Sequence, residues 1–145
     1  MGLAQAPSVP IYRIVPDRSK VEVQVFRGGL LKVLGHDHRI VARSFSGTVQ
    51  WDAGKVKDFM VILDIDSASL TVLDPEASEK DRKAVQKTME SPEVLDVTTF
   101  PLIKFRSSQL RSIAQSGDVL TATLIGKLAL HGIEKEITFP VHVLV

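Results

Sequence analysis

Two of the chain's four histidines, His36 and His38, flank Asp37 in the stretch LLKVLGHDHRI (30–40), and no other segment gathers so many side chains able to do chemistry. In an extended segment residues two apart share a face, so both imidazoles would point one way and Asp37 the other. That geometry offers two nitrogen ligands to zinc or nickel. Two ligands do not complete a site, and a third would have to come from His131, Glu134 or His142 near the end of the chain. No metal is assigned on this basis; a structural or hydrogen-bonding role for the pair is favoured, with weak metal binding through His36 and His38 kept as an alternative. Asp64, Asp66, Asp74 and Asp81 form a carboxylate group only along the sequence, and strand-edge solvation and helix capping account for them. Ser67 and Ser69 have no evident base. With no nucleophile elbow, phosphate loop, kinase set or HExxH, the chain reads as a non-enzyme with no catalytic residue.

The elements that must position these side chains are mostly strands. Ser19 to Phe26 alternates, with Val21, Val23 and Val25 against Lys20, Glu22 and Gln24, the period of a half-buried strand. Tyr12 to Ile14, Val41 to Trp51, Val56 to Ile65, a run from Ile103 through Phe105 and Ser107, Val119 to Leu130, and Ile137 to Val145 read the same way. Gly28-Gly29, Asp52-Ala53-Gly54 and Gly117-Asp118 mark turns, and Gly35 turns the chain before the histidines. Asp74-Pro75 predicts a helix start, followed to Met89 by a charged segment with a thin apolar stripe of Ala77, Ala84 and Val85. The connections are too short for beta-alpha-beta units. The economical architecture is all-β: a closed eight-stranded antiparallel barrel, its last strand pairing with its first, with a helical insertion between the fourth and fifth long strands. Gly47 and Gly126, inside strands, fit barrel curvature or a close approach of backbone to a ligand. Residues 1–10 are expected to form a flexible tail and 11–145 one domain.

Composition narrows the classes of function. Eighteen basic and 17 acidic residues leave a net charge of +1, so no overall field attracts nucleic acid. The helical segment has too little apolar surface for stable membrane insertion. The absence of cysteine removes disulfides and thiolate chemistry. The N-terminus MGLAQAPSVP has neither a basic n-region nor an apolar h-region. A periplasmic or secreted location would therefore require that a leader has been removed, and a chain complete as given would stay in the cytoplasm.

YRIVPDRSKVEVQV at the front, FSGTVQWD (45–52), DIDSASLTV (64–72), SPEVLDVTTFPLIKFRSSQL (91–110) and GKLALHGIEKEITFPVHV (126–143) together resemble the YceI-like family across residues 11–145. The resemblance implies a lipocalin-like antiparallel barrel crossed by a helical segment, in a largely periplasmic bacterial family whose elongated apolar interior holds a polyisoprenoid or quinone-like chain in several relatives. In the opening stretch this chain departs from them, with two histidines and a longer polar spacer in GHDHRIVARSFSGTV. Apolar lining would come from Phe26, Phe45, Val49, Trp51, Phe59, Leu63, Phe105, Leu124, Leu128 and Phe139, and area buried would supply the affinity. Phosphate or quinone oxygens of a headgroup would need donors at the mouth, for which His36, His38, Arg39 and Arg43 are the nearest supply, with His131 farther off. The expected function is a non-catalytic carrier or store for a long-chain apolar lipid, with no cofactor and the bound lipid as ligand. The alternative is a filled barrel acting as a structural or protein-interaction module. A homodimer is left open.

Overall fold

Period-two alternation of apolar residues builds nearly every element of the computed structural model, which describes residue 2 and residues 8–26 and 37–145. The strands are β1 (Ile11–Arg13), β2 (Glu22–Val25), β3 (His38–Ala42), β4 (Phe45–Gln50), β5 (Met60–Asp66), β6 (Leu70–Val72), β7 (Leu102–Ser116), β8 (Val119–Leu130) and β9 (Ile133–Leu144), with one α-helix, α1 (Glu79–Glu90), between β6 and β7. They form two antiparallel sheets. The larger runs β1-β4-β5-β7-β8-β9 and the smaller β2-β3-β6.

The expected closed eight-stranded lipocalin-like barrel is therefore corrected to two sheets of six and three strands, neither of them closed. Two local features account for this. The run expected as a single strand from Val41 to Trp51 bends at Arg43-Ser44, which sends β3 to the small sheet and β4 to the large one. The last strand, expected to pair with the first, pairs among the described residues with β8 alone, whereas β1 lies at the opposite edge against β4. Pro140 sits within β9, opposite Thr123; a residue without an N–H is tolerated in a sheet chiefly on an edge strand.

The inner face of the large sheet divides into two apolar clusters. In the first, Phe45, Ile65 and Ile103 pack against Ile40 and Ala42 of β3, Leu70 and Val72 of β6, Val85 and Met89 of α1, and Leu95. The small sheet and the helix together thus cover one end of the large sheet. In the second, Phe59, Phe105, Leu110, Leu120, Ala122 and Leu124 pack together, with Trp51 and Val141 against them. Leu63 and Leu128 touch both clusters and join them. A ring stacked over glycine closes the middle: a Cβ on Gly126 would lie 2.5 Å from Phe105 Cζ and 2.6 Å from the Arg106 carbonyl oxygen. What approaches Gly126 is thus a core aromatic of the neighbouring strand.

Helix α1 begins later than its sequence suggests. Ser78 is the N-cap, its Oγ accepting from the Asp81 N–H at 3.1 Å, and Asp74 lies four residues upstream in a turn. Val85 and Met89, one turn apart, form its buried stripe. Gln86 then fastens it to the small sheet: its Oε1 accepts from the Val72 N–H at 2.9 Å and its Nε2 donates to the Leu70 carbonyl at 2.7 Å. A side-chain amide thereby answers the backbone of β6. The β8–β9 hairpin turns at His131 and Gly132, both at positive φ (51° and 69°), the conformation of a type I′ turn.

Candidate functional site

The small sheet and the start of α1 leave an open groove of about 770 Å³ between them, within the range of small-molecule sites. One wall comes from Gln24 and Phe26 at the end of β2 and from Asp37, His38 and Arg39 at the start of β3. The facing wall is the turn from Asp74 to Ser78 and the helix residues Asp81, Ala84 and Val85. Val85 also belongs to the first core cluster, so the apolar floor of the groove is continuous with the core.

Asp74 ties the two walls together. Its Oδ2 accepts from His38 Nδ1 at 2.6 Å and its Oδ1 from the Arg39 backbone N–H at 2.7 Å, while the Leu73 N–H donates to the Arg39 carbonyl at 2.8 Å. Burial opposes ionisation of Asp74, but the hydrogen bonds from the Arg39 N–H and from His38 outweigh it and hold its carboxyl below the usual carboxylate range. The His38 side chain is only 2% exposed, because His38, Ile40 and Ala42 alternate onto the buried face of β3. Its Nε2 is buried with no hydrogen-bond partner among the described residues. Alongside, Glu22 takes two bonds from Arg39 (Nε at 2.9 Å, Nη2 at 3.2 Å) and an ion pair from Lys20. Lys20 and then Arg39 drive its carboxyl from the ordinary 4.5 down to about 2.

The residues expected to form one site are dispersed. Phe26, His38 and Arg39 line the groove, and Phe26 is 66% exposed there. His36 lies outside the described residues, as do Gly28, Gly29 and Gly35. Arg43 is turned away to donate to Thr71 Oγ1. Phe45 is buried in the first cluster, and Phe59, Phe105 and Leu124 in the second, with Trp51 edge-on to Phe59 at 5.8 Å between ring centres. Val49 packs against the second cluster, and Leu63 and Leu128 against both. Phe139, on β9, is 36% exposed and tilts against Phe105 at 5.4 Å. Sequence reasoning missed the whole facing wall of the groove, above all Asp74 as the partner of His38. Ser78-x-x-Asp81 was the available signal, since a capping pattern there displaces Asp74 from the helix and frees its carboxylate.

Other groups considered for chemistry are engaged elsewhere. His131 Nδ1 donates to the Val94 carbonyl at 2.5 Å, Glu134 pairs with Lys127 at 3.5 Å, and His142 is exposed on β9. Among the described residues no group of three or more His, Cys, Asp or Glu side chains is placed to hold a metal ion. Ser67 Oγ donates to the Phe100 carbonyl at 2.8 Å, and Ser69 Oγ donates to the Asp66 carbonyl at 2.7 Å and accepts from the Ser44 N–H. Asp64 pairs with Arg106 at 3.0 Å and Asp66 accepts from the Ala68 N–H. No helix among the described residues is long and apolar enough to cross a membrane.

Comparison with known proteins places the chain in a wider group. Residues 12–145 match the family model of the YceI-like domain. UPF0312 proteins of Pseudomonas putida and Pseudomonas fluorescens are each 32% identical over 97 residues, which is 67% of this chain and 44% of the relative. The match therefore spans less than half the length of those relatives. Among solved structures, Burkholderia cenocepacia BcnA superposes with a TM-score of 0.64 at 22% identity, covering 88% of this chain and 69% of that one. A Campylobacter jejuni YceI protein superposes at 0.52 with 16% identity, covering 70% and 52%. At these identities the two structures speak for the fold alone.

Proposed function

This chain belongs to the YceI-like family, and from that premise we propose that it is a non-catalytic binding protein for a long apolar molecule of the isoprenoid type, taken up in the groove beside α1. The observation that supports this most directly is the continuity of the groove with the core through Val85, flanked by Phe26, Pro75, Ala77 and Ala84. An extended hydrocarbon laid there gains about 0.8 kcal/mol for each methylene removed from water. A chain of ten carbons gains about 8 kcal/mol if fully buried, the same order as the about 4–15 kcal/mol that association costs, so a longer chain binds better. Headgroup contacts can then remain few.

A second reading has its own support. The residues first considered as tunnel lining, Phe45, Phe59, Phe105 and Leu124, fill two side-chain clusters instead, which favours a filled interior acting as a structural or protein-interaction module. Mass spectrometry of an organic extract of the purified protein separates the two. The first predicts a long-chain lipid in stoichiometric amount. An extract without lipid, together with no uptake of added long-chain ligands, would overturn it in favour of the second.

A further inference from the structure

We propose that α1 is the moving wall of the groove: it swings out from the small sheet about its C-terminal end to admit a long apolar chain, and Gln86 is the latch that holds it shut. The inference rests on the binding role proposed above and specifies how the occupant gets in. It follows from how unevenly the helix is fastened along its length.

The C-terminal end is bolted down. The carbonyls of Met89 and Glu90 accept from the Leu95 and Val97 N–H groups at 3.0 and 3.3 Å, and Leu95 is buried in the first cluster. The segment that follows is tied to the large sheet at the β8–β9 turn, where His131 holds the Val94 carbonyl and its ring lies against Phe100 at 5.3 Å between centres. Ser67 holds the other side of it, donating from Oγ to the Phe100 carbonyl and from its N–H to the Pro101 carbonyl at 2.9 Å. The N-terminal half has no such hold. None of the positions from Glu79 to Ala84 is buried, and Pro75, Glu76 and Ser78 in the turn that joins the helix to Asp74 are exposed as well. Arg82 reaches back to the carbonyls of Asp74 and Ala77, a tie to that turn and not to either sheet. Yet this is the half that faces the groove, through Asp81 and Ala84.

What closes the helix against the small sheet is a single turn of it. Val85 and Met89 pack into the first cluster, and between them Gln86 meets β6. Both ends of its amide are engaged: Oε1 by the Val72 N–H, and Nε2 by the Leu70 carbonyl and by Glu90 Oε1 at 2.8 Å. Water takes over these bonds when the helix lifts, so the latch fixes a position without making it permanent. A ligand shifts such an equilibrium only by binding one arrangement better than the other. Lifting α1 draws Val85 out of the first cluster and bares apolar surface there, which a hydrocarbon chain covers. The burial that gives the chain its affinity thus also favours the open arrangement.

Because the chain has no cysteine, a thiol can be placed at one position of the full chain and its labelling read without background. Val85→Cys is expected to react with iodoacetamide at least tenfold faster than Ile103→Cys, a position of the same cluster on β7. Adding Gln86→Met, which keeps the length of the side chain and loses the amide, should speed labelling of Val85→Cys severalfold and leave that of Ile103→Cys within twofold. Alone, Gln86→Met should raise the stopped-flow association rate of cis-parinaric acid, a fluorescent long-chain probe, by a similar factor. Equal labelling of the two cysteines would overturn the inference, since α1 would then leave only with the whole fold. Labelling of Val85→Cys that Gln86→Met does not change would also overturn it, since the thiol would be reached with the helix in place. Faster labelling with an unchanged association rate would overturn it too, and leave the binding of apolar chains standing. Should Gln86→Met speed Ile103→Cys as well, the same comparisons decide on Gln86→Asn, an amide one methylene too short to keep both bonds to β6. A parent chain that takes up no cis-parinaric acid would overturn the binding role itself, and the inference with it.

Discussion

Replacing Asp74 by alanine removes a side chain that joins β3 to the turn before α1. Two consequences add. The Arg39 N–H loses its acceptor at 2.7 Å, and its exposed position lets water replace that bond in part. His38 Nδ1 loses its partner at 2.6 Å, and the ring, with no partner at Nε2 among the described residues, is left with no hydrogen bond to any of them while 2% exposed. Leaving a buried polar group unmatched costs about 1–3 kcal/mol. A loss of about 3 kcal/mol is therefore expected, read as a lower urea midpoint at unchanged m-value. Asp74→Asn separates shape from charge: its oxygen can still serve Arg39, while its NH₂ faces His38 and asks the ring to give up the hydrogen at Nδ1. That variant should lose about 1 kcal/mol, and nitrogen-15 spectra of His38 should report the hydrogen moved from Nδ1 to Nε2. If Asp74→Ala unfolds within 0.5 kcal/mol of the parent, or if the His38 tautomer is the same in Asp74→Asn, the hydrogen-bonded account of this wall is wrong.

Two further outcomes are expected. Glu22 has a folded pKa of about 2 against an ordinary 4.5, so its contribution to stability is fully present above about pH 4.5 and is lost as pH falls towards 2. Denaturation of Glu22→Gln beside the parent should accordingly show a gap near neutrality that closes by pH 2, and a gap independent of pH would contradict the assignment. Gly126→Ala places a methyl 2.5 Å from the Phe105 ring and 2.6 Å from a backbone oxygen that cannot step aside. It should lower stability by about 2–3 kcal/mol, whereas a thermal midpoint equal to the parent's would show that the ring does not lie over this glycine.

The strands were legible because alternation of period two is a local signal. Val119 to Leu130 reads as a strand from its own residues and forms as β8 with those bounds. What escaped was set by partners distant in the chain. Arg43-Ser44 looks like ordinary polar alternation, yet the bend there decides which sheet each half of the run joins. Leu70–Val72 is three residues long and becomes a strand only because β3 runs beside it. Pro140 did carry the information against closure, as a residue suited to an edge, inside an alternating pattern that otherwise invited pairing on both sides. For the groove, His38 is visible as an unusual residue, but nothing near it in sequence names Asp74, 36 positions away, as its partner. Burial misled in the same manner: aromatic residues at inward positions suit a lined tunnel and a packed core equally, and only the facing elements distinguish them.

The two hydrogen bonds from Gln86 to Leu70 and Val72 bear on how an occupant could enter. A helix resting on apolar contacts alone can creep along its neighbour, since those contacts are indifferent to direction, but an amide engaged with one N–H and one C=O of the same strand indexes α1 to a single backbone position. Ala84 and Val85 lie two and one residues before that anchor, so their distance from the small sheet is inherited from the spacing of the sheet itself. The wall that α1 gives the groove is thereby held at a gauge set by the backbone of β6, and Gln86→Ala is expected to loosen it.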